Sequence, residues 1–139
     1  MTELPDNNEQ EARRWLGNVE DDLRAMHALE RDHESPARIV CFLAHLAVEK
    51  ALKAALIDVG VPFRKTHDIV ALYEMCRAAK RLLALDASAL AALQPWAIDG
   101  RYADDLVDAS HDVARRLMAL ADQVVTEVRS ELEVVGGDQ

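Results

Sequence analysis

His45, Glu49 and Lys53 recur at intervals of four, so on a helix they share one face, with an imidazole, a carboxylate and an ammonium in mutual reach. Such a set can bind and relay a proton, or it can be the ion-paired wet edge of a buried helix. Further on, Arg64-Lys65-Thr66-His67-Asp68 sets two cations just ahead of a predicted helix start, whose free amides also favour an anion. A phosphate suits that loop; the competing reading is a capped turn in which His67 packs against the preceding helix. Arg101 follows the turn Asp99-Gly100 and supplies one more cation. These residues stand out against their background. The formal charge is -9, yet residues 38–67 hold 5 bases and 2 acids, a local +3. The candidate phosphate-binding cations are therefore Lys50, Lys53, Arg64, Lys65, His67 and Arg101, unless they are ordinary solvated side chains.

Other chemistries lack their residues. The sequence has no Gly-rich phosphate loop, no His-Glu-x-x-His, no Cys-x-x-Cys and no Gly-x-Ser-x-Gly. The Glu-x-x-His motif on each of two helices that di-iron bundles require is not provided, so neither a metal nor a cofactor is expected. Cys41 and Cys76 each sit in an apolar helical stretch and read as buried thiols. His27, His33 and His111 read as surface residues without a partner at ligand spacing. The acidic charge disfavours broad binding to DNA or to an anionic membrane surface. With no apolar run of roughly 18 residues and a polar, acidic start, a cytoplasmic protein without a membrane segment is expected.

The elements that must position these residues are helices, given the scarcity of Gly and Pro and the abundance of Ala, Leu, Glu, Asp and Arg. After a flexible tail over 1–8, a first helix is predicted over 9–31, with Trp15, Leu16, Val19, Leu23 and Met26 as its stripe and Glu20, Asp21, Asp22 and Arg24 turned to water. Ser35 as cap and Pro36 as first helical residue start a second helix, apolar nearly all round and hence central, which Gly60-Val61-Pro62 stops near residue 59. Thr66 caps a third helix running to about residue 85, with Ile69, Leu72, Tyr73, Cys76, Ala79 and Leu83 facing inward. Asp86 caps a short fourth helix that Pro95 ends. A last helix spans about 109–134, and Gly136-Gly137 frees a tail over 135–139. The expectation is an all-α, antiparallel bundle of about five helices in one domain, 9–134.

Three pieces of the sequence together resemble the HEPN domain family: Ala47-Val48-Glu49-Lys50-Ala51-Leu52-Lys53-Ala54; then, after a Gly-containing turn, Lys65-Thr66-His67-Asp68-Ile69 and Leu72; with Trp15-Leu16 and Asp22-Leu23 upstream and Arg101-Tyr102 downstream. The similarity covers roughly residues 11–132. It implies a bundle of about five helices that pairs as a homodimer, often beside a minimal nucleotidyltransferase in a two-component, toxin–antitoxin-like module, and it adds Tyr102 to the candidate site. Some members of that family are ribonucleases, using Arg, four to six residues, then His near the start of the late helix. Here the first His after Arg101 is His111, and Ala103 stands where Pro commonly follows Arg-Tyr. Arg38 and His45 meet the spacing, but within the second helix.

The leading expectation is thus a non-catalytic or weakly catalytic HEPN-like partner protein binding a nucleotide or RNA phosphate, or a nucleotidyltransferase; the alternatives are a metal-independent endoribonuclease with His45 or His67 as general base and Arg38 or Arg101 stabilising the phosphate charge, and an interaction module without catalysis, whose first and last helices supply a dimer seam.

Overall fold

A computed structural model describes residues 7–81, 83–97 and 109–137. Among these residues five α-helices follow in order: α1 (Asn7–Arg31), α2 (Ala37–Asp58), α3 (Ile69–Ala78), α4 (Ala87–Ala91) and α5 (His111–Gly137), with a 3-10 turn, Gln94–Trp96, after α4. No strand occurs among the described residues. The all-α bundle expected from the composition is the architecture found. α1 begins two residues before, and α5 ends three residues after, the limits of 9 and 134 that periodicity assigns.

α2 is the axis. Val40, Cys41, Ala44, Ala47, Val48, Ala51, Leu52, Ala55 and Leu56 are buried over about half of its circumference, so it must be covered from several sides. α1 covers one side through Ala12, Val19 and Met26, fully buried seven residues apart, with Leu16 and Leu23 between them in a 4-3-4-3 seam. α5 covers another with Ala114, Leu117, Ala121, Val124, Val125 and Val128. The third side is closed by α3 and the 3-10 turn, which bring in Ile69, Leu72, Cys76 and Trp96.

Charges that the first helix alone would leave in water are used between helices. Asp22 pairs with Lys50 at 3.0 Å, Glu20 pairs with Arg129, and His27 Nε2 lies 3.0 Å from an Asp122 carboxylate oxygen of α5. His27 is thus partnered, contrary to the isolated surface residue expected, and Asp22 faces a neighbour rather than solvent, while Glu20 reaches Arg129 and stays partly exposed. His33 and His111 are exposed, and Cys41 and Cys76 are buried free thiols. Burial pushes the Cys41 thiol up to about 11 and the Cys76 thiol up to about 12.

Helix ends differ from expectation in instructive ways. Gly60 (φ 70°) does stop α2: its amide donates to the Ile57 carbonyl and that of Val61 to the Leu56 carbonyl, the paired bonds of a Schellman turn. At the other end Pro36, not Ser35, is the capping position; the Ser35 hydroxyl donates to Asp32 instead, and the helix begins at Ala37. α3 ends at Ala78 rather than near residue 85. Lys80 (φ 61°) takes the left-handed position, with the Lys80 amide on the Arg77 carbonyl and the Arg81 amide on the Cys76 carbonyl. The turn delivers Arg81 to the interior, 3% exposed, where it pairs with Asp58 at the end of α2 and lies 3.8 Å from Glu131 of α5. α5 continues through Gly136 and Gly137, which therefore do not release the chain at that point. Ser110 caps it, accepting the Val113 amide at 3.1 Å.

Candidate functional site

The face of α2 that carries Phe42, His45, Leu46, Glu49 and Lys53 is bordered by the loop between α2 and α3. A cavity of about 410 Å³ opens there. Phe42 and Leu46 of α2, with Ala97 beyond the 3-10 turn, form its apolar wall; His45 and Glu49 form the polar floor; Lys65 and His67 stand at the lip. That size and mixture suit a small ligand with one flat apolar part and one charged part.

The floor is a connected polar network. Lys53 Nζ donates to Glu49 Oε2 at 2.9 Å, and His67 Nδ1 donates to Glu49 Oε1 at 2.9 Å, since a carboxylate can only accept. Glu49 and Lys53 are 4% and 6% exposed, so the pair is buried and not the wet edge of α2. Lys53 also lies 5.8 Å from the Phe63 ring centroid, a cation–π contact that keeps its stem under the loop. His45 Nε2 donates to the His67 carbonyl at 3.2 Å, which leaves Nδ1 as the acceptor nitrogen, 3.8 Å from Glu49 Oε1. Desolvation holds the His45 pKa below its ordinary value of 6.5, against the opposing pull of Glu49 and the His67 carbonyl.

A residue that the sequence pattern did not single out fixes the loop. Gln94 accepts the Ile69 amide at 3.0 Å through Oε1 and donates to the His67 carbonyl at 3.2 Å through Nε2. The His67 carbonyl is thereby held from two sides, by α2 and by the 3-10 turn. Nothing local marks Gln94, because its partners are 25 and 27 residues away. The loop also corrects the expected cap. Asp68, not Thr66, caps α3 and accepts the Ala71 amide at 3.1 Å, while Thr66 Oγ1 accepts the Asp68 amide at 3.1 Å. With the Ile69 and Ala71 amides engaged and a carboxylate at the cap, the start of α3 offers an anion little; attraction must come from side chains.

The sequence-derived candidates therefore separate. Lys65 and His67 line the cavity, and Lys53 lies behind its floor, neutralising Glu49. Exposed Arg64 lines a neighbouring hollow with Phe63, Thr66 and Asp68. Lys50 faces away, toward Asp22 of α1. Arg101 and Tyr102 lie outside the described residues. Arg38 is half-buried near the start of α2. Among the described residues no group of three or more His, Cys, Asp or Glu could hold a metal ion, and no helix is long and apolar enough to cross a membrane.

The family model for the HEPN domain matches residues 12–131. The crystal structure of ST0689, an archaeal HEPN homologue, superposes with a TM-score of 0.63 at 19% sequence identity, covering 87% of this chain and 97% of that one. At that identity the likeness establishes the fold alone. No curated protein matches the sequence.

Proposed function

Because the chain belongs to the HEPN domain family, we propose that it is a non-catalytic HEPN partner protein that binds a nucleotide phosphate at the Lys65–His67 lip of the α2 cavity and works, as a homodimer, beside a minimal nucleotidyltransferase. One observation carries the ligand reading: a cavity of about 410 Å³ that joins an apolar wall to a cationic lip in a chain of net charge -9. Phe42, Leu46 and Ala97 suit the base and Lys65 suits the phosphates, with Arg64 adding positive charge from the neighbouring hollow. Lys53 offsets the Glu49 carboxylate, so the floor does not repel an anion as an unpaired acid would. The partner and the dimer rest on the sequence resemblance to two-component modules.

Titration calorimetry with ATP at two salt concentrations tests the reading. The double substitution Arg64→Ala, Lys65→Ala should weaken binding about tenfold and flatten its salt dependence, with an unchanged Tm because both side chains are exposed. Unchanged affinity would remove the loop from the site. A ribonuclease reading has one supporting feature, the Glu49–His67 pair, which orients a ring as a carboxylate orients a general base. It requires RNA cleavage that survives a chelator and is lost in His67→Gln.

A further inference from the structure

The floor of the α2 cavity contains two acceptors without a donor between them. His45 spends its Nε2–H on the His67 carbonyl, so Nδ1 presents a lone pair. Glu49 Oε1 accepts from His67 and has a second lone pair left. The two atoms are 3.8 Å apart, in side chains only 2% and 6% exposed, and both residues line the cavity. Facing lone pairs this close repel unless a donor enters between them. Burial disfavours a second proton on the imidazole, so the ring is a poor source of that donor.

We infer that the α2 cavity selects a base bearing an exocyclic amino group, whose two hydrogens are donated to His45 Nδ1 and Glu49 Oε1. The inference rests on the nucleotide reading above and adds what the site discriminates. An amino nitrogen ~2.9 Å from each acceptor sees them at an angle of roughly 80°, which bends each hydrogen bond only modestly from linear. A ring N–H or a hydroxyl has one hydrogen and satisfies one acceptor. An ammonium has enough hydrogens, but Lys53 at 2.9 Å from Glu49 and Lys65 at the lip oppose a further cation. A neutral amino group on an anionic molecule meets both conditions. Phe42 and Leu46, one helical turn apart on α2, supply the apolar surface for the base.

The test compares ATP with ITP, and CTP with UTP, on the full chain by titration calorimetry. Each pair shares sugar and triphosphate and exchanges an amino group for a carbonyl. The amino member of each pair should bind about ten- to a hundredfold tighter, because the carbonyl brings a third acceptor to two buried ones. Lys65→Ala should weaken all four nucleotides by a similar factor and preserve the ratios. Equal binding within pairs, or tighter binding of ITP and UTP, overturns the inference and leaves the phosphate reading standing. No binding by any of the four overturns both.

Discussion

Glu49 is the single carboxylate on which the site's network depends, and replacing it by glutamine isolates the effect of its charge. The side chain keeps its shape, and its carbonyl can still accept from Lys53 or from His67, but one bond is lost and the Lys53 ammonium is left without a counter-ion. Lys53 is 8% exposed at its side chain and its remaining electrostatic partner is the Phe63 ring, 5.8 Å away. Removing one member of a buried ion pair costs about 3–5 kcal/mol. The lower end applies, since the retained carbonyl keeps one hydrogen bond and the lysine stem can carry its head toward water. For a chain of this length about 3 kcal/mol corresponds to roughly 10 °C in Tm. Circular dichroism melts and urea titrations at pH 7 measure it. Lys53→Met in the same background removes the orphaned charge, so the double variant should recover at least ~1.5 kcal/mol relative to the sum of the two single effects. A single Glu49→Gln loss below ~1 kcal/mol, or strictly additive substitutions, would show that water reaches the pair and that the floor is not the dry network described.

Two further outcomes follow from particular residues. Lys80→Gly should stabilise the fold by about 1 kcal/mol, because glycine adopts φ 61° without the clash a Cβ brings; an unchanged urea midpoint would refute the strain assigned there. His45 titrates below its ordinary 6.5 in the folded chain, so the unfolded chain binds the extra proton first as pH falls. Its contribution is therefore complete above about 6.5 and is lost on acidification below it, with a slope of at most ~1.4 kcal/mol per pH unit, and His45→Gln should remove that slope from urea titrations between pH 7 and 5.

The polar face of α2 was legible because it needs only the helical period: His45, Glu49 and Lys53 line up whatever surrounds them. Their burial was not legible. It depends on the loop 62–68 folding back over α2, and that loop is pinned by Gln94 from a turn 27 residues away. The same folding distributes the cations. Adjacent Arg64 and Lys65 line different hollows, and Lys50 is drawn to Asp22, a partner 28 positions earlier that only the α1–α2 packing brings near. The expected anion attraction of the α3 start is weakened for a related reason: Asp68 and Gln94 already occupy two of its amides.

By itself the sequence determined the helical class, the central position of α2 and the stop at Gly60, since hydrophobic period and the unique backbone freedom of glycine act locally. It also determined which family the chain belongs to, through the spacing of Glu49, Lys53, Lys65, His67 and Asp68. The tertiary structure decided where α3 ends. No breaker is written at Lys80, and the turn exists because Arg81, carried inward, meets Asp58 and Glu131 from two other helices. It likewise decided that Glu49 is a buried acceptor beside His45 Nδ1 and not a solvated acid. Both outcomes depend on groups distant in the chain excluding water together, which no local pattern encodes.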